Sequence, residues 1–145
     1  MKPPFTAETW RTVPRTLLHR GRTFNANVWQ LQQDSDWIVK DFSETPWFYR
    51  WTLGRWTVRH EYRVVSKLQE LSGMPQAPFR LSATTWGYRM ISGEPIRHLD
   101  GTRCDGSFFR RLEKLVLAMH ACGIVHLDLR NARNVLCDPD NAPHI

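Results

Sequence analysis

The chain has 145 residues, 41% hydrophobic and 12% aromatic, which is enough for one ordinary core and too varied for a repeat or low-complexity protein. No run approaches the ~18 apolar residues of a membrane span. MKPPFTAETW lacks a signal-peptide core, and the three cysteines (Cys104, Cys122, Cys137) form no CxxC pair, which together point to a cytoplasmic protein. The net charge is +6 and sixteen of the twenty cations are Arg, a balance that favours phosphate-bearing partners; the lack of any like-charge run argues against a nucleic-acid-binding tail.

In chain order, the first patterned stretch runs from Arg20 to Leu31. It is a polar turn with one glycine, Gly21, followed by the alternating strand Val28-Trp29-Gln30-Leu31. Small and polar residues (Thr23, Asn25, Ala26) would let backbone amides approach a phosphate, and an ordinary hairpin fits the same pattern. Gln33-Asp34-Ser35-Asp36 reads as the turn into the next strand. Trp37-Ile38-Val39-Lys40 is a buried strand ending in one ammonium, in a chain with only four lysines. A compact charge delivered by a rigid strand suits the α- and β-phosphates of a nucleotide.

Thr57 to Leu71 places Val64, Val65, Leu68 and Leu71 at helical spacing, which predicts an amphipathic helix. Glu61 lies one turn before Val64 and Val65, near the buried face. It is the leading candidate to pair with Lys40, and Glu70 is the alternative; a solvated first-turn carboxylate favoured by the helix dipole is the other reading of Glu61. Phe79–Trp86 and Tyr88–Ile91 read as short strands on either side of Gly87, and Ser92-Gly93-Glu94-Pro95 as a break. Asp105-Gly106-Ser107 then caps a helix to about Ala121, with Phe108, Leu112, Leu115, Val116 and Met119 as its buried stripe and Gly123 as its stop.

The densest signal is GIVHLDLRNARNVLCD, residues 123–138. An apolar approach (Ile124, Val125) leads to a polar loop carrying His126, Asp128, Arg130 and Asn134, then to an apolar strand (Val135, Leu136). One Asp that accepts or orients a hydroxyl proton, and one Asn that holds a divalent metal, are what phosphoryl transfer requires. A plain turn in which Asp128 and Asn131 satisfy backbone donors is the other reading. His120, Cys122, His126 and Cys137 fit no strong zinc spacing.

This loop resembles the H-R-D-L-x-x-x-N catalytic loop of protein-kinase-like phosphotransferases, and Lys40 resembles their V-A-I-K lysine. There are departures. Leu127 stands at the Arg position, Asn134 lies six positions after Asp128 where the pattern has five, and only Gly21 remains of the glycine-rich loop. The resemblance implies an α+β, protein-kinase-like fold, with an antiparallel-sheet N-lobe holding one helix and an incomplete helical C-lobe. Its implied divisions are an extension (1–17), an N-lobe (18–92) and the start of a C-lobe (93–145), ending before any D-F-G.

The resemblance also implies ATP and Mg²⁺ as cofactors. Lys40, Glu61 and Gly21 would serve the nucleotide, with adenine at backbone near Met90 and Ser92. Asp128 would be the base, Arg130 would neutralise the transferring phosphoryl group, Asn134 would hold the metal and His126 would orient the loop. The compact pattern is most similar to bacterial lipopolysaccharide-core (Kdo/heptose) kinases. That implies a sugar or glycolipid substrate and a peripheral contact with an anionic face of the inner membrane, with no nucleic-acid partner. A compact Ser/Thr protein kinase with a protein substrate, and a non-catalytic nucleotide-binding module, are the alternatives.

Overall fold

The computed structural model describes residues 3–32, 37–99 and 103–145. The turn expected at 33–36 lies outside the described residues. The chain forms two compact units, Met1–Ser66 with Gln76–Met90, and Lys67–Pro75 with Ile91–Ile145.

The first unit is a five-stranded antiparallel sheet in the order β1-β2-β3-β5-β4. The strands are β1 (Arg15–His19), β2 (Asn27–Leu31), β3 (Trp37–Asp41), β4 (Gln76–Arg80) and β5 (Thr85–Arg89). Strand β3 is central and covered on both sides, which its unbroken apolar run anticipates. Trp37 and Val39 join Phe5, Trp10 and Leu31 in one cluster. The opposite face of the sheet packs Ala26, Phe42 and Trp86 against Val58 of the helix, with Tyr49, Tyr62, Val65 and Tyr88 around them. The residues before the sheet pack against it: Phe5 and Trp10 are buried, and the Arg15 guanidinium lies 4.4 Å from the Trp10 ring centre and 4.8 Å from that of Trp29.

Two boundaries differ from the sequence reading. The helix begins ten residues early, as α1 (Trp47–Tyr49), a π-helical turn (Arg50–Gly54) and α2 (Arg55–Leu68). Trp47, Phe48, Trp51, Leu53 and Trp56 are exposed, so this start carries no buried stripe for periodicity to detect. Gly87 sits inside β5 instead of between two strands, and the connection to β4 lies at 81–84. The reason is space. A β-carbon at position 87 would overlap the Ile38 carbonyl oxygen and come within 2.6 Å of the Phe79 ring, so β5 can lie against β3 only with glycine there.

In the second unit, α3 (Gly106–Ala121) starts at Asp105, whose carboxylate accepts from the amides of Ser107 (3.0 Å) and Phe108 (2.9 Å). Phe108, Leu115 and Met119 are buried along its stripe. Phe108 packs with Val135 and Cys137, and with Ile96, Leu99, Leu112 and Leu129. Short strands β6 (Glu94–Pro95), β7 (Leu136–Cys137) and β8 (Pro143–His144) form a small antiparallel sheet. The segment 67–75 belongs to this unit: the Ile145 amide donates to the Gly73 carbonyl at 2.9 Å.

Gly87→Ala should lower stability by about 1–3 kcal/mol through overpacking against β3. A urea unfolding curve checks this; an unchanged midpoint would mean that the strands separate without cost.

Candidate functional site

Lys40 leaves the sheet on the face that carries α2. The strand register sets it opposite Val28 of β2 and Trp86 of β5. Its Nζ donates to Glu61 Oε2 at 3.2 Å, and the two side chains are 29% and 33% exposed. The same carboxylate oxygen accepts from the Trp86 indole Nε1 at 3.1 Å, and the ammonium sits 5.2 Å from the Trp86 ring centre. Burial alone would depress the lysine pKa. The Glu61 carboxylate, the Tyr88 phenol and the hydrogen bond to Glu61 outweigh burial and raise it above the ordinary 10.5. The side chain is thus a fixed cation. An ammonium has three donors, and Glu61 uses one of them, so the others can serve an anionic ligand. Trp86 was not legible as a partner, because its contact with Glu61 depends on cross-strand register.

Gly21 opens the turn between β1 and β2. A β-carbon there would overlap the carbonyl oxygen of Asn25 and lie 2.6 Å from that of Ala26, so the turn needs glycine. Its amide donates to Asn27 Oδ1 at 3.0 Å, and Asn27 Nδ2 donates to Glu44 at 2.8 Å. Gly21 therefore shapes the turn, and its own N–H is already engaged. A cleft of about 250 Å³ lies beside the turn, and its lining includes Arg20, Gly21, Thr23, Asn25, Asp41 and Glu44. The two carboxylates outnumber the one guanidinium, and Lys40 does not line it. Met90 and Ser92 fall in the irregular segment after β5; Met90 Sδ is 4.0 Å from Gln30 Nε2, and Ser92 is exposed.

In the second unit the 126–134 loop is held by its own side chains. Leu129 anchors it in the Phe108–Val135 cluster. The Asp128 amide donates to His126 Nδ1 at 3.2 Å, which makes that nitrogen the acceptor. The extra residue is absorbed by two successive turns: the Asn131 amide donates to the Asp128 carbonyl (3.2 Å), and the Asn134 amide to the Asn131 carbonyl (2.9 Å). Asn134 Nδ2 then reaches back to the Asp128 carbonyl at 3.0 Å and to its Oδ2 at 2.9 Å. Asn131 Nδ2 adds a longer contact to the same carboxylate, 3.4 Å. Asp128 and Arg130 are both exposed. The carboxylate is oriented by the two asparagines, and the residue remains exposed.

The donor set can also be tested against magnesium. With its nitrogen committed to Asp128, Asn134 presents the carboxamide oxygen, a hard ligand. Among the described residues no group of three or more His, Cys, Asp or Glu side chains could hold a metal ion. The loop thus offers one hard carboxamide oxygen beside the Asp128 carboxylate.

No family model matches the chain, and no curated protein matches it. Among solved structures it is similar to the apo form of PpkA-294, a bacterial Ser/Thr kinase, with a TM-score of 0.62 at 14% identity. The match covers 89% of this chain and 55% of that one, so the chain spans about half the length of the kinase structure. The fold is kinase-like, α+β, with the antiparallel sheet and its helix in the place of the N-lobe.

The raised Lys40 pKa predicts a pH effect. Its stabilising share is complete below the unfolded pKa of 10.5 and is lost as pH rises through the higher folded value. Lys40→Met should lack that component of alkaline destabilisation, as measured by urea midpoints between neutral pH and pH ~11. Parallel pH profiles for the two proteins would refute the pairing.

Proposed function

We propose that this chain belongs to an ATP- and magnesium-dependent phosphotransferase that phosphorylates an alcohol oxygen on a sugar or glycolipid, at the cytoplasmic side of the cell. The observation that carries this reading is the Lys40–Glu61 ion pair, set on the strand and helix of a kinase-like sheet. A lysine held by a helix carboxylate grips nucleotide phosphates without wandering among rotamers. Asp128 takes up or orients the proton of the attacking hydroxyl, and the struts from Asn134 and Asn131 keep its carboxylate in one rotamer. Arg130 supplies positive charge two residues on. Asn134 Oδ1 would hold magnesium, which when bound neutralises charge on the phosphates.

The sugar or glycolipid substrate rests on Leu127. This side chain stands where many protein kinases carry the Arg that pairs with a phosphorylated activation loop, it is 94% exposed, and it cannot make such a pair. A Ser/Thr protein kinase is the second reading, favoured by the nature of the structural neighbour.

Thermal unfolding with ATP, with and without magnesium, tests the proposal. At a nucleotide concentration a hundredfold above Kd, the wild-type chain should gain about 2.7 kcal/mol. Lys40→Met should lose most of that gain, and Asp128→Asn should keep it, because Asp128 meets the acceptor and not the nucleotide. An absent magnesium-dependent shift in the wild-type chain would overturn the nucleotide-binding reading.

A further inference from the structure

Glu61 Oε2 accepts from two donors of different kinds. Lys40 Nζ reaches it at 3.2 Å from a partly exposed, flexible stem, and Trp86 Nε1 reaches it at 3.1 Å from an indole in the core. The difference decides which donor fixes the carboxylate. An ammonium has three N–H groups on a four-carbon stem, so it can follow a moving partner or turn to water. An indole has one N–H and no acceptor. Trp86 is 1% exposed and shares a cluster with Phe42 and with Val58 of α2, and the Tyr88 ring lies 5.5 Å away. A side chain so enclosed cannot turn to a new acceptor, and departure of Glu61 would leave its N–H stranded in the core. The register of β3 against β5 also sets Trp86 opposite Lys40, with the ammonium 5.2 Å from its ring centre. One rigid residue thus touches both members of the ion pair.

We propose that Trp86 is a positioning residue: its indole holds Glu61 at the Lys40 ammonium independently of any ligand, so that α2 does not move to assemble the pair when a ligand binds. An ion pair between a strand and a helix opens when the helix shifts, and every opened molecule is lost from the binding-competent population. The indole opposes that shift from a fixed point of the sheet. Lys40 then sits beside a carboxylate that is already in place, and it need not recruit one. The consequence for nucleotide rests on the phosphotransferase reading above: ATP with magnesium meets a preassembled lysine, and its affinity is not reduced by a fraction of open chains. The tie between Trp86 and Glu61 does not rest on that reading.

The test is a nitrogen–proton correlation NMR spectrum of the whole chain without nucleotide, in which each tryptophan gives one indole signal. Trp86→Phe identifies the Trp86 signal by its loss. That signal should exchange slowly with solvent, and Glu61→Ala should shift it and speed its exchange by roughly tenfold. Lys40→Met should leave its shift and exchange nearly unchanged, because the indole and not the ammonium holds the carboxylate. A signal that moves as far in Lys40→Met as in Glu61→Ala would overturn the inference, as would exchange that Glu61→Ala leaves unaltered. In a parallel titration with ATP and magnesium, Trp86→Phe should weaken binding by about tenfold, the effect of one lost hydrogen bond to a charged group. Val58→Ala opens a void in the same cluster without touching the pair, so it should lower the unfolding midpoint and keep the wild-type affinity. Wild-type affinity in Trp86→Phe, or equal weakening in Val58→Ala, would reduce Trp86 to a packing residue and overturn the proposal. Failure of the wild-type chain to bind nucleotide would overturn the phosphotransferase reading alone, and the spectra would still decide for or against Trp86.

Discussion

Strand β3 imposes the constraint that organises the first unit. Trp37, Ile38 and Val39 are almost fully buried, and the next residue is a lysine. An ammonium that emerges from such a strand is only partly exposed, and a carboxylate beside it offsets the hydration it loses. Glu61 is that carboxylate, and its position rotates α2 about its axis. Once Glu61 faces the sheet, Val58 and Val65, three residues before it and four after it, must face the sheet as well, and Tyr62 packs at their side. All three pack in the cluster with Phe42 and Trp86. The remaining side, with Trp56, Arg59 and Arg63, is thereby committed to solvent. One ion pair thus decides both what the helix buries and what it displays. Trp86 adds to this by giving its indole N–H to the same carboxylate, so loss of Glu61 would strand two donors at once.

The loops that carry the candidate chemistry are held differently. They lack ladder hydrogen bonds, and asparagine supplies the missing struts. A carboxamide both donates and accepts, so one side chain can tie two backbone segments. Asn27 accepts from Gly21 and donates to Glu44 across the turn between β1 and β2. Asn134 ties both the carbonyl and the carboxylate of Asp128, and Asn131 joins the two turns that separate them. The extra residue between Asp128 and Asn134 therefore does not loosen the loop. It buys a second turn, and the carboxamide still reaches the carboxylate at 2.9 Å. A positioned carboxylate loses little entropy when a reactant arrives, which is the physical content of preorganisation.

Much of this was legible in the sequence, and the reasons are specific. Strand β3 and Lys40 stood out because an unbroken apolar run ended in one of only four lysines. Helix α3 stood out because Asp105 and Ser107 mark a cap before a regular stripe. Glu61 was legible only as one of two carboxylates; pattern places both near the helix, and geometry chooses. Cross-strand partners were not legible. Nothing local to Trp86 or Gly87 announces that one will meet Glu61 and the other will let Phe79 and Ile38 approach, because both facts arise from the register of β3 against β5. The helical start at Trp47 was hidden for the opposite reason. Its apolar residues face outward, so a method that looks for a buried face finds none.

That outward-facing segment poses a question of its own, since exposed aromatic rings usually reflect a loose piece of chain. Here the support beneath them is well made. Tyr49 packs inward beside Phe42 and Trp86, and Arg50 donates to the Ser43 carbonyl at 2.6 Å. Thr52 Oγ1 donates to the Phe48 carbonyl at 2.7 Å, within the π-helical turn that re-phases the helix before Arg55. The inward side chains hold the segment, while Trp51 and Leu53 within the π-turn stay exposed. Single π-turns of this kind are rare and occur frequently at functional sites. If the segment had only to join β3 to α2, burying its rings would have been the lower free-energy solution at about 1.5–3 kcal/mol for each large side chain. The packing of Tyr49 and the Arg50 contact to Ser43 instead hold these indoles and guanidinium groups in water.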